Sequence, residues 1–228
     1  MTARLDTSRI RAVCFDIDGT LADTDDDLVT RLAGLLRPLA RLRRGLDAQA
    51  LSRKLIMAAE TPSNTMLTLV DSLGVDDVLA PLLHIVYWAR GEARPRHYTF
   101  VPGALEALDR LRHHYRLAIV SARDRYSTHA FLNHFDLGPW FHCVATARTC
   151  RRTKPHPAPV LWAAKEMGVS PQACVMVGDT TADMRAGKGA GAQAVGVLCG
   201  FGERNELQRA GADLILESTG ELAQVLLG

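Results

Sequence analysis

Val13-Cys14-Phe15-Asp16-Ile17-Asp18-Gly19-Thr20-Leu21 decides the reading of this chain. An apolar, β-branched run begins at Ile10 and stops at two carboxylates, a glycine and a threonine. Such a run reads as a strand buried on both faces of a parallel sheet. Asp16, Asp18 and Gly19 then fall at its carboxyl end and first turn. Open α/β sheets bind ligands at that edge. Carboxylates cannot be buried there without partners, because an unpaired buried charge is costly. A cation is the simplest partner, and two hard oxygen donors suit Mg²⁺ better than zinc. The competing reading is a plain turn, since Asp-Gly after a strand often makes one. The residues downstream weigh against it.

After Thr20 the pattern changes to helix. Leu28, Leu32, Leu35, Leu36, Leu39 and Leu42 recur at helical spacing, behind an acidic entry over 23–27 that suits a helix N-terminus. Pro38 is a candidate kink and Gly45 a stop. Further helices fit 48–59, 63–73 and 78–89, and 91–102 with Pro95 and Pro102 reads as a linker. Beyond Pro102, helices over 104–115, 125–135, 158–167 and 181–187 alternate with strands over 116–120, 143–146, 174–177 and 193–198. A last strand and helix fall within 212–227. Such alternation implies βαβ units and a parallel sheet, with every strand's carboxyl end on one edge. The fold class expected is therefore α/β, a Rossmann-like parallel core with an inserted all-helical cap. The core takes residues 1–22 and 95–228, and the cap takes 23–94 as a lid over the Asp16 edge.

Three more strand ends on that edge carry chemistry. Ser121 follows Leu117-Ala118-Ile119-Val120, Lys154 lies in Arg151-Arg152-Thr153-Lys154-Pro155, and Gly178-Asp179-Thr180-Thr181-Ala182-Asp183 follows the strand from Cys174. Taken singly, Ser121 or Asp179 reads as a helix cap and Lys154 as a solvated charge. Their order and shared edge make the set specific. An aspartate can attack phosphorus and carry it as an acyl phosphate. A second carboxylate two residues on can protonate the leaving oxygen and then activate water. A hydroxyl and an ammonium can hold the non-bridging oxygens, where charge collects. Two carboxylates four residues apart at a helix start can hold Mg²⁺, which offsets repulsion between nucleophile and phosphate. Backbone N–H groups near Gly19 and after Ser121, at Ala122, are further donors.

Over nearly its whole length the chain resembles a haloacid dehalogenase-like (HAD) superfamily hydrolase. Phe15-Asp16-Ile17-Asp18-Gly19-Thr20-Leu21 is similar to that family's first motif, and Ser121, Lys154 and Gly178 through Asp183 match the other three. The resemblance implies Asp16 as nucleophile, Asp18 as general acid and base, and Ser121 and Lys154 as phosphoryl ligands. It implies Mg²⁺ held by the Asp16 carboxylate, the Asp18 carbonyl and Asp179, with Asp183 in direct or outer support. A helical insert after the first motif is similar to phosphoglycolate phosphatase-like members. Met184 through Gly191 resembles the usual continuation, and its glycines read as close helix packing, not a dinucleotide loop. One position departs: Ala122-Arg123 stands where such members often carry an Asn, which leaves open whether Arg123 reaches substrate or the surface.

Composition sets the remaining bounds. The 228 residues are 47% hydrophobic and 23% charged, enough for a sizeable core. A net charge of +2 argues neither for nor against nucleic acid, and a small phosphorylated metabolite is the expected partner of a monomer or homodimer. Basic residues crowd 31–54 (Arg31, Arg37, Arg41, Arg43, Arg44, Arg53, Lys54), a solvated helix face before it is an anion guide. Five cysteines without a C-x-x-C pair suggest neither disulfides nor zinc, and fit a reduced, cytoplasmic setting. Neither a signal peptide nor a membrane span is expected. His113, His114 and His156 read as solvated or loop residues, and Trp88, Trp140 and Trp162 as packing. The leading expectation is a Mg²⁺-dependent phosphatase acting through an aspartyl-phosphate. The alternatives are a sugar phosphomutase of the same fold and a non-catalytic phosphate-binding module. Dehalogenase chemistry fits less well, because Asp18 keeps an acid where phosphoryl transfer needs one.

Overall fold

The computed structural model describes residues 5–23 and 98–228, with Gly34 as one further helical position. The chain divides into two compact units, Met1–Thr24 with Tyr98–Gly228, and Asp25–His97. The helices expected over 25–89, the basic stretch over 31–54 and Trp88 lie outside the described residues.

The first unit is built on a six-stranded, all-parallel sheet. Its strands are β1 (Ala12–Phe15), β2 (Arg116–Val120), β3 (Cys143–Ala145), β4 (Cys174–Gly178), β5 (Gln193–Val197) and β6 (Leu214–Leu216), in the order β3-β2-β1-β4-β5-β6. The described helices are α1 (Ala104–Leu111), α2 (Arg125–His134), α3 (Ala158–Glu166), α4 (Thr181–Gly189), α5 (Arg204–Arg209) and α6 (Leu222–Leu227). β1 and β4 are buried at every position, which is why they read as unbroken apolar runs.

Strand alternation sends residues to two separate cores. Val13, Phe15, Leu117, Ile119, Val175 and Val177 face one side, where Leu108, Phe131 and Leu222 from α1, α2 and α6 pack. Ala12, Cys14, Ala118 and Met176 face the other, against Val160 and Ala163 of α3 and Ala186 of α4. The second face is lined by small residues, so its helices approach closely. A Cβ on Gly187 would come within 2.8 Å of the Met176 Cβ. Gly187 is thus the packing glycine of the Met184–Gly191 stretch, whereas Gly191 turns the chain at φ +80°. All five cysteines are free thiols; Cys14 and Cys174 are buried, and burial pushes the Cys143 thiol up to about 12.

Among the described residues the expected elements are present, with shifted ends. β1 starts at Ala12 because Ile10 closes a 3-10 turn over Thr7–Arg9, its N–H donating to Thr7 O at 3.2 Å. α1 stops at Leu111, where the N–H groups of His114 and Tyr115 both turn back to the Leu111 carbonyl. α5 was not anticipated: six residues with Leu207 alone buried show no helical period. Nor are the helix caps the residues first suggested. α2 is capped by Asp124, which accepts from the N–H groups of Tyr126 and Ser127 at 2.7 and 3.0 Å. α4 is capped by Thr180 in a reciprocal box with Asp183. Ser121 and Asp179 are left to do something else.

Ile119 is fully buried in the larger core. Ile119→Ala should cost about 2–5 kcal/mol of stability, as large-to-small core changes do. Urea unfolding checks it, and a loss below about 1 kcal/mol would contradict this packing.

Candidate active site

The strand order reverses at β1, which has β2 on one side and β4 on the other. In open α/β sheets a ligand crevice forms at such a reversal, at the carboxyl ends of the two strands. Asp16 follows β1 directly, and its N–H donates to Val177 O of β4 at 3.0 Å. Asp179 follows β4, and Ser121 follows β2 with its N–H on Ala145 O at 3.0 Å.

Lys154 reaches into this crevice. Its Nζ lies 2.8 Å from Asp16 Oδ1 and 2.6 Å from Asp183 Oδ1, with lysine and Asp16 each 3% exposed and Asp183 fully buried. The other Asp183 oxygen accepts from the Thr180 N–H at 3.1 Å and hydroxyl at 2.6 Å. Asp183 therefore does two jobs, closing the start of α4 and aiming Lys154 at Asp16. Gly178 allows this approach, since a Cβ there would overlap the Asp183 carboxyl group.

Asp179 is fixed differently. Its Oδ1 accepts from the Thr20 hydroxyl at 3.3 Å and its Oδ2 from the Phe201 N–H at 2.7 Å. The loop after β5 supplies that N–H by lying very close. A Cβ on Gly200 would overlap Asp179 Oδ2 and sit 2.6 Å from Gly19 O, and one on Gly202 would overlap the Asp179 carbonyl. Gly200, Phe201 and Gly202 are thus site residues that the sequence reading missed; a glycine pair just past a strand end was the available signal.

Asp16, Asp179 and Asp183 are all buried and can each offer one oxygen within 4.8 Å of the others. Lys154 neutralises part of that charge by touching two of the three. An all-carboxylate donor set with this spacing fits a hard divalent cation such as Mg²⁺. The Asp18 side chain does not join the cluster. Arg123 Nε donates to its Oδ2 at 2.7 Å and Arg123 Nη2 to its Oδ1 at 2.5 Å. Burial disfavours the guanidinium charge, but the charge and hydrogen bonds of Asp18, with Asp16 behind it, outweigh that and hold Arg123 above its ordinary value. Arg123 thus reaches neither open surface nor the phosphate position first.

Of the expected phosphate ligands, Lys154 touches Asp16. Ser121 is 5% exposed, and its Oγ accepts from the Arg123 N–H at 3.2 Å, leaving its own proton to point elsewhere. Ala122 is half-buried beside it. Gly19 takes a positive φ of 65°, and its N–H donates to Ala22 O at 3.0 Å, so this donor is used within the turn. His113 and His114 are exposed, and His156 accepts from the Ala158 N–H at 3.1 Å. Trp140 lies beneath the Arg112 guanidinium and Trp162 packs on the smaller core.

A buried carboxylate beside an ammonium, a second carboxylate two residues on and a carboxylate cluster together suit attack on a phosphoryl group. The family model described as haloacid dehalogenase-like hydrolase matches residues 13–197. A phosphoglycolate phosphatase of Pseudomonas putida is 28% identical over 218 residues, spanning 91% of this chain and 76% of that one. A HAD-family hydrolase of Deinococcus radiodurans, solved with bound phosphate and sodium, is 26% identical with a TM-score of 0.67, covering 96% and 95% of the two chains. A Thermotoga maritima structure provisionally named beta-phosphoglucomutase shares the fold at 24% identity and a TM-score of 0.66, covering 96% and 99%. With the family's matched span enclosing every one of these strand-end groups, the chain belongs to the haloacid dehalogenase-like hydrolase family and is a phosphatase enzyme of the phosphoglycolate phosphatase-like kind.

Proposed function

We propose that the enzyme hydrolyses a small phosphomonoester metabolite, phosphoglycolate or a close relative of it, with Mg²⁺ and through an aspartyl-phosphate on Asp16. The observation that carries this reading is Lys154 bridging Asp16 and Asp183 inside the crevice, with Asp179 in the same cluster. One Asp16 oxygen attacks phosphorus while the ester oxygen departs and takes the proton carried by the acid form of Asp18, which is left as the carboxylate that Arg123 grips. Asp18 then removes a proton from water as that water attacks phosphorus, which releases phosphate and restores the Asp16 carboxylate. Lys154 and the Ser121 hydroxyl hold the non-bridging oxygens as their charge grows. Asp16, Asp179 and the Asp18 carbonyl, with Asp183 in support, would hold Mg²⁺, which would supply positive charge to offset repulsion between carboxylate and phosphate dianion.

The insert over 23–94 is the proposed cap domain, and a reduced, cytoplasmic setting suits the five free thiols. A phosphomutase is the second reading, supported by the fold shared with the Thermotoga protein. The same core groups would return the phosphoryl group to a second hydroxyl instead of water. A pure phosphate binder is the weaker account, since binding alone has no use for a nucleophile and acid pair.

Phosphate release should be measured from a panel of phosphorylated metabolites, with Mg²⁺ and with chelator. Chelator should abolish release, and Asp16→Asn should do the same while retaining the fold by circular dichroism. Full turnover by Asp16→Asn would refute the assigned nucleophile; interconversion of sugar phosphates without release would favour the mutase. Lys154→Ala should lower kcat/KM by about a hundredfold to a thousandfold, as loss of a strong transition-state donor does. An unchanged rate would remove Lys154 from the site. Gly200→Ala should raise the Mg²⁺ concentration for half-activity by about tenfold or more, because its Cβ displaces Asp179. Titration of activity with Mg²⁺ checks this, and a wild-type curve would contradict the close approach.

A further inference from the structure

We infer that Arg123 is a positioning residue for this phosphatase: it locks the Asp18 carboxylate in place and so sets the efficiency of proton transfer, without touching the phosphoryl group. The inference rests on the proposed roles of Asp16 and Asp18.

The guanidinium meets both Asp18 oxygens at once, 2.7 Å from Nε and 2.5 Å from Nη2. A fork of this kind fixes the plane of the carboxylate as well as its distance.

Arg123 is itself well anchored. Its N–H donates to Ser121 Oγ at 3.2 Å, and its carbonyl accepts from the Ala147 N–H at 2.8 Å. Its guanidinium sits 5.7 Å from the centre of the buried Phe131 ring, within the range of a cation–π contact. The side chain is 13% exposed and that of Asp18 21%. A rigid loop therefore holds a rigid fork, which holds a carboxylate on a different loop. That couples the residue proposed to grip phosphate, Ser121, to the residue proposed to move protons. Proton transfer is sensitive to such placement, because its geometry must be right within a few tenths of an ångström in the transition state.

A residue acting in this way affects turnover through Asp18 and leaves ground-state binding alone. The test is steady-state and burst kinetics of Arg123→Met and Arg123→Lys, beside Asp18→Asn and the double variant Asp18→Asn/Arg123→Met. For the best metabolite substrate, Arg123→Met should lower kcat about tenfold to a hundredfold, part of what a general acid–base contributes. KM should stay within about twofold, and Lys should recover part of the loss. With para-nitrophenyl phosphate the leaving group needs no proton, so Arg123→Met should release a rapid burst of nitrophenol stoichiometric with enzyme, then turn over slowly as water attack lags. On the Asp18→Asn background the second substitution should be nearly silent.

A KM rise with kcat intact would overturn the inference and make Arg123 a substrate contact. So would an unchanged kcat, a slowed first step without a burst, or a loss that persists in full on the Asp18→Asn background. The phosphatase reading fails separately, if wild type releases no phosphate or Asp16→Asn keeps its activity. The Arg123 ratios are read only among variants of a working enzyme.

Discussion

Three carboxylates are buried within reach of one another at the end of a parallel sheet, and the ammonium of Lys154 touches two of them. The rest of the site depends on that interaction. Like charges so close together repel, and a buried cation touching two of them offsets that repulsion. The arrangement also suits a divalent cation. The donors are all hard oxygens within 4.8 Å of one another.

The fold makes this crowding possible. Strand order reverses at β1, so Asp16 and Asp179 arrive side by side from the neighbouring strands β1 and β4. Glycine then removes the remaining steric barriers at Gly178 and Gly200, where a side chain would occupy the space of Asp183 and Asp179. Chain departure and return are likewise organised here. Asp23 N–H donates to Thr99 O and Val101 N–H to Leu21 O, each at about 2.8–2.9 Å, so the two ends of the inserted unit are stitched together only a few residues from Asp18. That stitching lets a long insertion be made at this point without disturbing the sheet.

Much of this was legible in the sequence, for a physical reason. Strands buried on both faces must be continuously apolar, so β1, β2, β4 and β5 announce themselves, and polar residues at their ends stand out. Asp16, Ser121 and Asp179 were found in that way; Lys154 lies in a loop nine residues past the end of β3, not at a strand end, and all four are buried in the structure. Periodicity says nothing about which side chains meet across loops. The Arg123–Asp18 fork joins residues 105 positions apart, and no local pattern encodes it. Nor does spacing reveal that Gly19 uses its N–H within its own turn, or that Thr180 and Asp124 are the caps. Those outcomes depend on which of several competing polar partners lies nearest once the sheet has formed.

The central claim is that Asp16 carries the phosphoryl group. It is tested most directly by mixing enzyme, Mg²⁺ and phosphate-labelled substrate, quenching in acid within the first turnover and mapping the label by peptide mass spectrometry. The account predicts an acid-stable, hydroxylamine-sensitive label on the peptide containing Asp16, absent from Asp16→Asn. Turnover with no protein-bound label at any time, or a label on another residue, would contradict it.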